Sequence, residues 1–161
     1  MKTVRNIFLS CLIISMIWGS QVVFAADEMI GTQVDGSLLT NNMSVSDSSL
    51  EMTRGVYLSY GSATLTNNGN HVLNVFGSTT CYRTSDQVKV TLHLQRLVNG
   101  KWSNVTTLDT KVAYNTNYVS NSKNVTVTGG YYYRISGSHT AIKGKTVETT
   151  TSVTDGMWVS K

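Results

Sequence analysis

Hydrolytic chemistry needs a nucleophile beside a base, or two carboxylates flanking one bond, and the acids of this chain are dispersed. From Arg54 onward only Asp86, Asp109, Glu148 and Asp155 occur, each isolated in sequence. Asp86 in Ser85-Asp86-Gln87 and Asp155 in Thr154-Asp155-Gly156 sit in turn-like settings, where a carboxylate commonly bonds its own backbone. His71, His93 and His139 form neither a His-x-His nor a His-x-x-x-His pair, so no single element offers two metal ligands. The sequence contains no Gly-x-Ser-x-Gly elbow, no phosphate-binding glycine loop and no calcium loop. No catalytic, cofactor-binding or metal-ligating residue is therefore assigned. The enzymatic alternative is a small glycan hydrolase or lyase that gathers Asp86, His139 or Glu148 in space.

Aromatic residues offer a different chemistry. Tyr57, Tyr132 and Arg134 fall on the outward phase of their segments, and exposed rings beside a guanidinium can stack on sugars or bases. These three are the candidate ligand-binding face. Trp102, Tyr131 and Tyr133 fall where core and hairpin packing is expected, and are read as structural.

Strands must position these side chains. Val88, Val90, Leu92 and Leu94 alternate with Lys89, Thr91, His93 and Gln95, which puts four aliphatics on one buried face of a strand over 87–98. The alternation slips at Gln95-Arg96-Leu97, predicting a bulge. Asn99-Gly100 then supplies two residues tolerant of positive φ, the strongest local hairpin signal, leading to Trp102 and Val105. Val56, Leu58 and Tyr60 alternate, as do Ala63 and Leu65; Asn68-Gly69 turns the chain into 71–80, where Leu73 and Val75 share a face. Val125 and Val127 precede Gly129-Gly130, and Tyr131, Tyr133 and Ile135 follow in alternation. A last strand over 145–154 puts Val147 and Val153 on one face. No window after residue 25 carries a capped apolar stripe at helical spacing. About seven to eight short strands predict an all-β chain, a single antiparallel two-sheet sandwich of immunoglobulin-like type, with a jelly roll or open barrel as the alternative.

Residues 1–25 read as a cleavable secretory signal. Lys2 and Arg5 precede an apolar run from Ile7 to Trp18, and Val23 and Ala25 suit a cut after Ala25. Removal takes Cys11 with it and leaves Cys81 alone, so no internal disulfide can form and the fold must stand on its core. The chain has no proline, which excludes a proline-containing sortase signal. Residues 26–53 carry five acids and no Lys or Arg, are rich in Ser, Asn and Thr, and read as an acidic leader or linker before a domain over 54–161. That domain carries eleven bases against four acids, with no run that would form a nucleic-acid patch. The expected protein is secreted, monomeric, free of cofactors and of a membrane span after cleavage. It is a non-catalytic module for an envelope glycan or protein and not for nucleic acid; self-assembly through the Thr-rich strand 145–154 is a further alternative.

Asn99-Gly100-Lys101-Trp102 and Gly130-Tyr131-Tyr132-Tyr133-Arg134 together resemble the small secreted proteins of Gram-positive bacteria that carry a domain of unknown function. The resemblance covers about 55–161 and implies source and location; it implies no activity. Gly130-Tyr131-Tyr132-Tyr133 also resembles the tyrosine corner of immunoglobulin-like sandwiches, in which a hydroxyl ties a late strand to its preceding loop.

Overall fold

The structure, a computed structural model, describes residues 29–50 and 55–161. The segment read as a signal lies outside the described residues. Nine strands follow in chain order: β1 Gln33–Val34, β2 Ser37–Thr40, β3 Ser44–Leu50, β4 Leu58–Asn67, β5 Val72–Val98, β6 Lys101–Thr126, β7 Tyr131–Lys143, β8 Thr146–Val153 and β9 Gly156–Val159. The chain is all-β, and no α-helix occurs among the described residues.

The strands form one curled sheet in the order β1-β2-β9-β7-β5-β4-β3, with β6 added on β5 and β8 on β7. The sheet is mixed: β2 runs parallel to β9, with Leu39 opposite Gly156, while the other pairs are antiparallel. This corrects the expectation of a purely antiparallel sandwich. The parallel pair arises because residues 33–40, expected as part of a leader, return to the sheet beside the last strand. Residues 44–50 of that segment also carry structure, since β3 pairs with β4 over seven residues from Ser44↔Thr66 to Leu50↔Tyr60.

The long β5–β6 hairpin organises the curl. The first part of β5 pairs with β4 and the second with β7, and the β5–β6 register shifts between Thr80 and Ser85, where the hairpin bends. Segments 71–80 and 87–98, expected as separate strands, are thus two arms of one. Asn99 and Gly100 close the hairpin with φ of 51° and 73°, as an Asn-Gly turn of this type requires. The predicted slip also exists, as a register shift between Leu94 and Gln95.

Bending brings the aliphatic faces of both arms together. Val88, Val90, Leu92 and Leu94 are fully buried, packed in one cluster with Leu58, Leu65, Leu73, Val75, Tyr133 and Ile135. Approach across this core is close: a Cβ on Gly77 would lie 2.5 Å from Leu92, and one on Gly61 would lie 2.1 Å from the His139 ring. Cys81 is buried in the same cluster, and burial pushes its thiol above the ordinary range.

The outer strands of the curl, β3 and β8, meet through side chains. The Val153 N–H donates to Asp47 Oδ2 at 2.7 Å, and the Ser49 hydroxyl donates to the Thr151 carbonyl. Glu148 on β8 accepts from the N–H groups of Val56, Tyr57 and Leu58 at 2.8, 2.9 and 2.6 Å. This seam explains a reversal in β8. Its inward residues are Glu148, Thr150 and Ser152, and Val147 and Val153 share the exposed face. The inward positions are polar because each has a polar partner: Glu148 the three backbone N–H groups, Thr150 the Ser49 hydroxyl and Ser152 the His139 ring.

Candidate functional site

The three residues expected to form a ligand face are placed apart. Tyr132 and Arg134 do sit on the outward side of β7, but β1, β2 and the residues before them cover that end of the sheet. Tyr132 is 2% exposed and Arg134 6%. The Arg134 guanidinium is spent on this cover: Nε donates to Gln95 at 2.8 Å, Nη1 to Ser37 Oγ at 2.9 Å and to the Asp35 carbonyl at 3.1 Å, and Nη2 to Asp35 Oδ2 at 3.2 Å. Its carbon lies 4.5 Å from the Trp102 ring centroid, and Trp102 Nε1 donates to the Val34 carbonyl at 3.3 Å. Arg134 is thus the pin of an N-terminal clasp, with Leu39, Leu97, Tyr132 and Trp158 as its apolar filling.

Tyr57 is not outward at all. The β4–β5 register shifts between Leu58 and Tyr60, and this irregularity reverses the phase: Tyr57 packs on the core, Leu58 is fully buried, and Tyr60 emerges. Tyr133 is fully buried and its hydroxyl donates to the Thr128 carbonyl at 2.7 Å, tying β7 to the loop before it. Tyr131 is half-buried beneath the Arg96 guanidinium, 4.5 Å from its ring centroid.

The residues considered for catalysis are engaged in structure. Asp86 accepts from Lys143 Nζ at 2.6 Å and from the Gly144 N–H at 2.8 Å, and these bonds hold its carboxyl below the usual range. Glu148 is partly desolvated, which opposes ionisation, but its three backbone donors outweigh that and lower its pKa. Asp155 accepts from the Leu38 N–H at 2.9 Å, bonding a neighbouring strand instead of its own turn.

His139 has triad-like neighbours. The Thr79 hydroxyl donates to the Lys89 carbonyl at 2.8 Å, so its lone pair accepts from His139 Nδ1–H at 2.9 Å, which leaves Nε2 to accept the Ser152 hydroxyl at 2.8 Å. A hydroxyl on an imidazole held by a third group is the arrangement of an activated nucleophile. Here, however, His139 is fully buried and Ser152 is 1% exposed, with Gly61 and Gly137 against the ring. Burial lowers the His139 pKa to about 4, against the raising effects of the Ser78 backbone and the Asp47 carboxylate. The cluster is a neutral, sealed polar core.

The open surfaces lie elsewhere. The two sequence motifs meet at one recess of about 290 Å³, where Asn99 and Gly100 face Gly130, Tyr131, Tyr132 and Trp158. A second recess, of about 520 Å³, is lined by His71, Asn70, Met43 and Lys161 and includes no Asp or Glu side chain. Among the described residues no group of three His, Cys, Asp or Glu could hold a metal, and no helix is long and apolar enough to cross a membrane.

The outer face of β3, β4 and the adjoining arms of β5 and β6 has a different character. Register aligns its outward residues in rows across four strands: Ser44, Thr66, Asn74 and Asn124; then Ser46, Thr64, Phe76 and Ser122; then Ser48, Ser62, Ser78 and Ser120. A further row sets Tyr60 and Tyr118 on either side of Thr80, with Tyr82 next along β5. None of these positions holds Lys, Arg, Asp or Glu. Hydroxyls and amides are tied to one another, Ser62 to Ser78 at 2.9 Å and Asn74 Nδ2 to Asn124 Oδ1 at 2.9 Å. Tyr60, Tyr118 and Tyr82 are 37%, 47% and 64% exposed. The covered Thr80 hydroxyl has no hydrogen-bond partner.

Sequence reasoning missed this face for two reasons. The shift at Leu58/Tyr60 reverses which tyrosine is outward, and Ser/Thr-rich runs carry little apolar periodicity. The one available signal was the alternation of Ser62, Thr64 and Thr66 with Ala63 and Leu65.

Residues 24–157 match a family of unknown function, DUF6147. The chain belongs to that family. Comparison with curated proteins and with solved structures gives no match. The two motifs singled out above, the Asn-Gly-Lys-Trp hairpin and the Gly-Tyr-Tyr-Tyr-Arg strand, lie within the matched region and meet at the clasp.

Proposed function

We propose that this DUF6147 chain is an exported, non-catalytic module that binds a component of the cell envelope through the outer face of β3–β6. The observation that carries the reading is the charge-free array of hydroxyls, amides and exposed tyrosines on that face, in a chain whose residues 54–161 hold eleven bases and four acids. Soluble surfaces ordinarily carry about a quarter or more charged residues, so an array of this extent calls for a ligand-based explanation. Tyr, Ser and Asn are the residues with which rigid recognition surfaces make large contacts at low entropic cost.

Engagement of Asp86 and Glu148 in backbone bonds, and the sealing of His139 beside Ser152, support binding over hydrolysis. Export rests on the signal over 1–25, with the cut after Ala25, and origin in a Gram-positive envelope rests on the motif resemblance. The Tyr133–Thr128 bond supports a kinship with immunoglobulin-like sandwiches. β8 is a poor self-assembly edge, because Asp47 and Ser49 already bond its outer side.

The test is fractionation of producing cells with binding of the purified chain to isolated envelope. Retention on envelope that drops about tenfold in a Tyr60→Ala/Tyr118→Ala variant of unchanged fold supports the reading. Retention indifferent to that variant overturns the choice of face.

A further inference from the structure

We infer that the ligand of the β3–β6 face is a neutral, extended polysaccharide; the inference rests on the binding-module reading and names its substrate class. Charge argues first. A polyanion such as a phosphate polymer is drawn by bases, and residues 54–161 hold eleven Lys and Arg, yet none occupies a position of the array. A sugar chain without charge needs what the face offers: aromatic rings for its C–H faces and paired hydroxyls and amides for its hydroxyls.

Geometry argues second. Tyr60 and Tyr118 flank Thr80 on adjoining strands, which sets them two strand spacings apart, about 9.6 Å. That is close to the length of two rings in an extended β-linked chain, so alternate rings of one chain can rest on the two tyrosines. The platform is a sheet face without walls, which suits a polymer passing across it and not a small molecule held within it.

Polar preorganisation argues third. Ser62, held by the buried Ser78, and the exposed Asn124, held by Asn74, are each fixed by a bond of 2.9 Å and retain further donors and acceptors for a ligand.

The experiment measures retention of the purified chain on insoluble β-1,4-glucan and on chitin, and on isolated envelope and an immobilised glycerol-phosphate polymer, at low salt and at about 1 M NaCl. Expected is binding to a neutral glycan that changes less than about twofold with salt. It should weaken by about tenfold in Tyr60→Ala/Tyr118→Ala and also weaken in both Ser120→Lys and Ser120→Glu, each checked for unchanged circular dichroism and melting. Binding confined to the phosphate polymer and abolished by salt overturns the inference, as does glycan binding indifferent to the double variant. Envelope binding that depends on the two tyrosines, with neither glycan retained, overturns the polysaccharide and leaves the binding module standing. Binding to no surface overturns both.

Discussion

At the residue scale, Arg134 and His139 show how polar groups are spent in this protein. Arg134 is buried, while its acidic partner Asp35 keeps a side chain 76% exposed. Most of the stabilisation therefore belongs to the guanidinium's neutral bonds and its stacking on Trp102. Arg134→Ala should cost about 2 kcal/mol and loosen the N-terminal clasp, whereas Asp35→Asn should cost under about 1 kcal/mol. Urea unfolding with limited proteolysis before Thr40 checks both. His139 is neutral when folded, with a pKa of about 4 against an ordinary 6.5. The unfolded chain takes up a proton first as pH falls, so stability is full above about pH 6.5 and declines towards pH 4, by about 3 kcal/mol from this residue. His139→Gln should flatten that part of the pH–stability curve.

At the scale of elements, two glycines separate conformational from steric need. Gly100 has φ of 73° with nothing within 4 Å of an added Cβ, so Gly100→Ala meets only backbone strain, about 1 kcal/mol. Gly61 has ordinary φ but faces the His139 ring, with 2.1 Å to an added Cβ. Gly61→Ala must push β4 from β7 and should cost more, about 3 kcal/mol. Denaturant midpoints of the two variants give the comparison. The Asn99-Gly100 hairpin and the four aliphatics of β5 were legible in the sequence because both depend on neighbours in the chain: a dipeptide tolerant of positive φ and a period of two. β6 was largely illegible. It pairs with β5 alone and turns most of its residues to solvent, so its apolar pattern is sparse.

For the whole molecule, the side-chain seam holds the curl closed where no backbone ladder does. Glu148→Ala removes the two oxygens that accept from three N–H groups and should cost about 1–3 kcal/mol. The native carboxylate's contribution should fade as acid protonates it, since its folded pKa lies below the ordinary value. Chemical denaturation of the wild type and the variant at neutral and acid pH tests this: the gap between them should narrow in acid. The candidate face depends on the same closure. β3 supplies its outermost column while its inward Asp47 and Ser49 bind β8, so weakening the seam should also weaken ligand binding.

The sequence by itself determined the all-β class, the turns at Asn68-Gly69 and Asn99-Gly100 and the buried face of β5, because these follow from local conformational preference and periodicity. Tertiary structure decided which outward residues remain outward. Tyr132 and Arg134 were on the predicted side of their strand and were then covered by residues distant in sequence, as Arg134 to Asp35 and Ser37 records. A single register irregularity exchanged Tyr57 for Tyr60, and a seam made the inward face of β8 polar. Exposure is a property of what packs on a strand, and alternation along one strand carries no information about its neighbours' arrival. The candidate site therefore moved from the Tyr-Tyr-Arg motif to an array of serines, threonines and tyrosines that becomes a surface only when four strands come into register.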